Sequence, residues 1–193
     1  MRIISGKFKG QQLVSFQADH IRPTTDRVKE TIFNKIQFEI AGSRILDLFC
    51  GTGNLGLEAL SREAIHCTFV ESNAKSLQIT RSNIQKFKVE ESDYRIINQD
   101  VIRFLKTYKG DPFDIIFADP PFTKKMADEV MMAASQSAVF GSKTILAIES
   151  QAKEKMLAEY PPIQRFDFKE YGDKVLSFFR LNEEAAMRAA ELE

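Results

Sequence analysis

Apolar and polar positions alternate around glycines at the start of the chain: Ile3-Ile4-Ser5-Gly6, then Gly10 and Leu13-Val14. That pattern predicts a short β-hairpin. Pro23 sets an extended turn, and Thr24 or Thr25 stands where it can cap a helix running through Lys35 or beyond. Val28, Ile32, Phe33, Ile36 and Ile40 then share one face of it. After Gly42 the period changes. Runs of strand length at Arg44–Phe49, His66–Glu71, Tyr94–Asn98, Phe113–Ala118 and Thr144–Glu149 alternate with helical segments. The helices are expected at Asn54–Arg62, at Ala74–Phe87 with Leu77, Arg81, Ile84 and Phe87 in register, around Ile102–Thr107, near Met126–Ser137 and near Lys153–Glu159. The alternation then stops, and Arg165–Tyr171 and Val175–Leu181 are joined by Gly172-Asp173, a hairpin turn. Repeated βα units predict an α/β fold with a mostly parallel sheet covered by helices on both faces. The closing hairpin adds an antiparallel pair at one edge and brings the expected strand count to seven.

Composition changes this picture little. The 193 residues are 44% hydrophobic and 28% charged, those of an ordinary globular chain. No stretch approaches the roughly 18 consecutive apolar residues of a membrane span, and MRIISGKFKG lacks a signal-peptide core, so a cytoplasmic location is expected. Cys50 and Cys67 make no disulfide framework or metal-ligand spacing, and His20 and His66 stand alone, so no metal is expected. Net charge is zero, which argues against coating a phosphate backbone with the whole surface. The charge is unevenly placed, however. Met1 to Lys35 carry Arg2, Lys7, Lys9, Arg22, Arg27, Lys29 and Lys35 against Asp19, Asp26 and Glu30, while Glu183 to Glu193 is acidic. A basic front end suits an RNA-facing edge, although a solvated charged surface reads the same way.

The cofactor signal is Ile45-Leu46-Asp47-Leu48-Phe49-Cys50-Gly51-Thr52-Gly53-Asn54-Leu55-Gly56, glycines at the end of a strand and the start of a helix. Gly51, Gly53 and Gly56 satisfy G-x-G-x-x-G, and Glu71 follows about twenty residues later, which read literally is a nicotinamide-dinucleotide fingerprint. Asp47 weighs against that reading. A carboxylate inside the strand repels a pyrophosphate and suits a cation. S-adenosylmethionine carries a sulfonium and an ammonium and no phosphate. On this reading Asp47 orients the ammonium end or the loop itself, and Gly51, Thr52 and Gly53 let the methionyl part lie close. Glu71 takes the ribose hydroxyls. Asp100 binds the adenine amino group with Val101 or Phe49 against the ring. Asp100 could equally be a plain helix N-cap before Val101-Ile102.

The fourth strand ends in Asp119-Pro120-Pro121-Phe122. Both prolines have fixed φ and no N–H, so the loop is stiff and offers carbonyls. An amino group on a base ring is a poor nucleophile because its lone pair is delocalised. Asp119 and the Pro120 carbonyl could accept its two N–H bonds and stabilise the positive charge that develops on nitrogen. Phe122 would stack on the base. The bland alternative is that the prolines break the strand and Phe122 fills the core.

These residues resemble the RsmD family of bacterial 16S ribosomal RNA guanine-N2 methyltransferases over nearly the whole chain to about Leu181. Four stretches carry the likeness: Arg2-Ile3-Ile4 with the Gly6/Gly10 hairpin; Arg22-Pro23-Thr24-Thr25-Asp26-Arg27-Val28-Lys29-Glu30-Thr31; Leu46 to Gly53 continuing into Gly56-Leu57-Glu58-Ala59-Leu60-Ser61-Arg62; and Asp119 to Phe122. The second is the most specific. The resemblance implies a Rossmann-like class I methyltransferase using S-adenosylmethionine, with an N-terminal extension over 1–41, a catalytic domain over 42–182 and an acidic tail over 183–193 that matches nothing in the family. It implies Arg2, Lys7, Lys9, Arg22 and Arg27 as contacts to 16S RNA of the small subunit, and Thr24 and Thr25 as residues closing over the cofactor. A monomer is expected. The competing expectations are an adenine-N6 DNA methyltransferase, an NAD-binding oxidoreductase and a noncatalytic RNA-binding protein. Glutamine-modifying methyltransferases usually show Asn where Asp119 stands.

Overall fold

The computed structural model describes residues 1–15, 26–121 and 126–191. The expectations for Arg22, Thr24, Thr25 and Phe122, and the capping of the first helix, lie outside the described residues. The chain divides into two compact units, Met1–Asn98 and Gln99–Glu193.

The first unit holds α1 (Asp26–Lys35), β1 (Arg44–Leu48), α2 (Asn54–Ser61), β2 (His66–Glu71), α3 (Ala74–Lys86) and β3 (Tyr94–Asn98). Its strands run β3-β2-β1, all parallel, with Ile45 against Cys67 and Glu71 against Asn98. β2 is the central strand, and Cys67, Phe69 and Val70 are fully buried. A strand covered on both faces reads as an unbroken apolar run, as Cys67-Thr68-Phe69-Val70 does. β3 pairs along one side and alternates more loosely between half-buried and exposed positions. On α1 the expected face is found: Val28, Ile32 and Phe33 are buried, and Ile36 and Ile40 beyond the helix end are buried with them. On α3 the expected register needs a correction. Leu77, Ile84 and Phe87 are buried, whereas Arg81 is exposed, and the polar Thr80 and Asn83 take the buried positions.

The amino-terminal hairpin is also corrected. Residues 1–15 form a folded loop with a single isolated bridge, Arg2 to Gln12, and not two strands. Some bonds cross the loop, from Ile3 N to Gln11 O and from Gly10 N to Ile3 O, both 2.9 Å. The remaining backbone groups have better partners on α2. Glu58 accepts from Ile4 N and Ser5 N, Ser61 Oγ from Phe8 N, and Ser61 O from Lys7 N. Gly6 makes this possible: its φ is +80°, and a Cβ there would stand 1.7 Å from Ser61 O.

The second unit holds α4 (Val101–Thr107), β4 (Phe113–Ala118), α5 (Ala127–Ser135), β5 (Phe140–Gln151), β6 (Glu159–Tyr160), β7 (Ile163–Tyr171), β8 (Lys174–Leu181) and α6 (Glu183–Ala190). Its strand order is β4-β5-β8-β7-β6. β4 and β5 are parallel, while β8 inserts antiparallel to β5 and β7, turning through Gly172 at φ +62° as expected. The class is therefore mixed α/β, parallel strands followed by antiparallel ones.

Two details depart from expectation, and a third was left open by it. β6 is an additional strand, so the described strands exceed the expected seven by one. The helix near Lys153–Glu159 does not form, because its polar groups serve other elements. Glu154 Oε1 accepts from Ala127 N at 2.7 Å, and Tyr160 Oη accepts from Leu157 N while donating to Asp128 Oδ1 at 2.6 Å. The acidic tail is not bare chain: Asn182 Oδ1 caps α6 at Ala185 N, and Glu183 and Glu184 sit in the first turn, where negative charge favours a helix. No helix among the described residues is long and apolar enough to cross a membrane.

Candidate active site

The glycine loop leaves the C-terminal end of β1 through three left-handed residues: Phe49 at φ +59°, Gly51 at +55° and Gly53 at +79°. Glycine adopts such angles freely. Phe49 does so at a cost of about 1–3 kcal/mol, strain of a kind that gathers at functional sites. Gly53 N donates to Cys50 O at 2.7 Å and closes the turn. A Cβ at Gly51 would meet nothing nearer than Phe49 O at 3.8 Å, so the loop is open to a ligand on that side.

Gly53 leads α2 without a side-chain cap. Asp47 supplies the missing acceptor from inside β1: its Oδ2 takes the Gly56 N–H at 2.9 Å, with the residue 2% exposed. Of the two roles expected for Asp47, holding the loop and helix is the one the geometry displays. It also places a carboxylate at the helix N-terminus, where a pyrophosphate would have to dock.

Glu71 ends β2, half-buried, within reach of the loop. Its Oε1 accepts from Asn73 N at 2.8 Å, and Oε2 lies 3.4 Å from Gly51 N. Thr52, next to Gly51 in sequence, is half-buried. Asp47, Phe49, Gly51, Thr52, Gly53 and Glu71 thus converge on one loop of the first unit.

Sequence reasoning missed the residues that hold this loop. Thr80 Oγ1 donates to Gly51 O at 2.8 Å, and Asn83 Nδ2 donates to Thr52 O at 2.9 Å. Their signal was available: two polar residues three apart, on the same helical face as Leu77, Ile84 and Phe87. Cys50 is buried here too, and burial together with the Asp47 charge pushes its thiol well up, so it is no nucleophile.

In the second unit, Asp119 follows β4 directly. Ile115 through Ala118 are buried, Asp119 is half-buried, Pro120 is buried and Pro121 exposed. Asp100 is exposed and N-caps α4, its Oδ1 accepting from Arg103 N at 2.9 Å; Val101 beside it is buried. The plain capping role weighed for Asp100 is therefore present. Its Oδ2 has no partner among the described residues.

The candidate RNA contacts of the described front end are exposed. Arg2 pairs with Asp26 at 3.1 Å on the surface, Lys7 Nζ lies 5.0 Å from the Phe8 ring centre, and Lys9 and Arg27 are exposed.

The profile of a family described as Conserved hypothetical protein 95 matches residues 1–180. Ribosomal RNA small subunit methyltransferase D of Haemophilus influenzae is 36% identical over 158 residues, 81% of each chain. The protein of the same name from Escherichia coli is 35% identical over 153 residues, 79% of this chain and 76% of the relative. A solved Escherichia coli structure named methyltransferase yhhF is 31% identical and superposes with a TM-score of 0.83, covering 94% of this chain and 98% of its own.

Proposed function

Because the chain belongs to the Conserved hypothetical protein 95 family, the RsmD family, we propose that it transfers a methyl group from S-adenosylmethionine to small-subunit ribosomal RNA, at the exocyclic N2 amino group of a guanine. The observation that carries the donor assignment is the Asp47–Gly56 hydrogen bond at 2.9 Å. It leaves the α2 N-terminus unsuited to a dinucleotide phosphate and suited to a cationic ligand. The loop around it is lined by carboxylates and carbonyls, acceptors of the right kind for an ammonium and for ribose hydroxyls.

S-adenosylmethionine, when bound, supplies an electrophilic methyl carbon on a sulfonium. The backbone of Gly51, Thr52 and Gly53 holds its methionyl end, and Glu71 accepts from the ribose hydroxyls. Asp100 offers Oδ2 to the adenine amino group, with Val101 or Phe49 against the ring. On the acceptor side, Asp119 takes one N–H of the guanine amino group and the Pro120 carbonyl the other. Both stabilise the positive charge that develops on nitrogen, and Asp119 receives the proton. Pro121 keeps the loop stiff, and Phe122 stacks on the base, a contact worth about 1–3 kcal/mol. Such a base must stand clear of its stack. Arg2, Lys7, Lys9, Arg22 and Arg27 meet the RNA backbone, and Thr24 and Thr25 close over the donor.

The test is transfer of labelled methyl groups to purified small subunits, with duplex DNA offered alongside and nucleoside mass spectrometry of the product. N2-methylguanosine in small-subunit RNA is expected, with no label in DNA. Asp119→Ala should lower transfer at least about 100-fold while donor binding stays near that of the parent. Full activity in that variant would rule out the acceptor chemistry.

A further inference from the structure

The amino-terminal segment and the glycine loop share one side chain. Asn83 on α3 is fully buried. Its Oδ1 accepts from Val14 N at 2.7 Å, and its Nδ2 donates to Val14 O at 3.0 Å and to Thr52 O at 2.9 Å. The orientation of the amide is not arbitrary. Val14 N–H needs an acceptor, while two carbonyls need donors, so a flipped amide would break all three bonds. One turn earlier, Thr80 holds the Gly51 carbonyl from the same helix.

A second tie runs through α1. Lys29 Nζ donates to Arg2 O at 2.6 Å and to Asn54 Oδ1 at 2.9 Å. Asn54 opens α2 immediately after Gly53. Glu58, three residues after the Gly56 amide's neighbour Leu55, accepts from Ile4 N and Ser5 N. The segment bearing Arg2, Lys7 and Lys9 is therefore fastened at both ends to groups that also fix the loop.

We propose that Asn83 is a positioning residue that couples the amino-terminal segment to the donor loop, so that RNA engaging the segment tightens donor binding, and donor tightens RNA. Asn83 bonds the segment and the loop at once, so a shift of either is felt by the other through a single buried amide. Freeing Val14 from Asn83 leaves a buried amide underused and removes a constraint on Thr52, whereas ordering either side presents the amide, already oriented, to the other. Coupling between two sites is reciprocal by linkage. This inference rests on the reading that the segment faces ribosomal RNA and that the loop binds S-adenosylmethionine.

Equilibrium dialysis of labelled S-adenosylhomocysteine, with and without saturating small subunits, reads the coupling. In the parent protein, subunits should lower the dissociation constant at least about fivefold, the small end of ordinary couplings. Asn83→Asp keeps the acceptor for Val14 N and sets a carboxylate against the carbonyls of Val14 and Thr52. In that variant the effect of subunits should fall below about twofold. Equal coupling in parent and variant, or none in a parent that binds both ligands, would overturn the proposal while leaving the methyltransferase reading standing. Failure of the parent to bind subunits at all would instead strike the substrate reading. A second measurement needs neither variant nor subunits. Hydrogen exchange on the parent should show S-adenosylhomocysteine slowing the amides of Ile4, Ser5 and Val14, and exchange unchanged by the product would equally overturn the coupling.

Discussion

His66 begins β2 opposite Arg44, half-buried, and its Nδ1 is shut off from solvent with no hydrogen-bond partner among the described residues. Burial, and then the Arg44 and Arg95 charges, pull its pKa below the usual 6.5 against the opposing effect of Asp93. The neutral ring is thus the form the fold prefers. As pH falls through 6.5 the unfolded chain takes the proton first, so stability drops until the folded-state pKa is reached and levels off below it. Urea unfolding at pH 7.5 and 5.5 should show a loss on acidification in the parent that is smaller in His66→Gln, which does not titrate. The same loss in both would mean that His66 contributes nothing to it. At this scale the sequence was a partial guide. That Asp47 and Glu71 would stand at the glycine loop was legible from a carboxylate in a strand and another ending one. That Asp47 would serve the Gly56 amide, and that Phe49 would carry a left-handed φ, depends on how the strand meets the helix, which no local pattern encodes.

Elements were legible where period and packing agree. β1, β2, β4 and the β7–β8 hairpin lie close to their expected positions because buried runs and the Gly172 turn are local signals. Two elements failed where backbone donors found side-chain acceptors elsewhere. Residues 1–15 bond to α2 in place of a second strand, and the groups near Glu154 and Tyr160 serve α5 and the loop before β6. The packing of α2 on β2 is where an element-scale prediction belongs. Every residue of α2 is buried, and at Gly56 a Cβ would stand 2.4 Å from Phe69 Cε1 and 2.5 Å from Cys67 Sγ. Alanine is the better helix former by about 0.8–1 kcal/mol, so intrinsic propensity favours Gly56→Ala. Overpacking a filled interface costs about 1–3 kcal/mol, and since Phe69 and Cys67 are themselves fully buried they have little room to give. The second effect wins, and Gly56→Ala should be less stable than the parent by up to about 2 kcal/mol in denaturant unfolding. A gain in stability would show that β2 can retreat. The third glycine of the fingerprint is on this view a helix–strand contact, which any ligand class would require.

For the molecule as a whole, the consequential feature is that the amino-terminal segment is built into the first unit and not appended to it. Its anchor is the Lys29–Glu58 pair, 2.9 Å apart and 1% and 0% exposed, with Arg62 on the other carboxylate oxygen at 2.8 Å. Burial lowers the Lys29 pKa even though Glu58 pulls it up. Desolvation therefore outweighs attraction, and the pair is no bonus to stability in itself. Removing one member is another matter. Lys29→Met fills the space but takes one cation from the buried Glu58, which keeps Arg62, and it strips a donor from Arg2 O and Asn54 Oδ1. That should cost about 2–3 kcal/mol. The Arg2–Asp26 pair, 64% and 46% exposed, is the natural comparison on the same segment. Arg2→Ala should cost no more than about 1 kcal/mol. Urea midpoints of the two variants against the parent decide the matter. If Lys29→Met were as mild as Arg2→Ala, the segment would be a detachable arm, and a variant lacking residues 1–15 should keep the glycine loop intact. If the large difference holds, deleting those residues removes partners from Glu58, Ser61 and Asn83 at once. A truncated protein that no longer methylates RNA would then have lost supports of its glycine loop as well as the segment itself, and truncation could not by itself locate the RNA-binding surface.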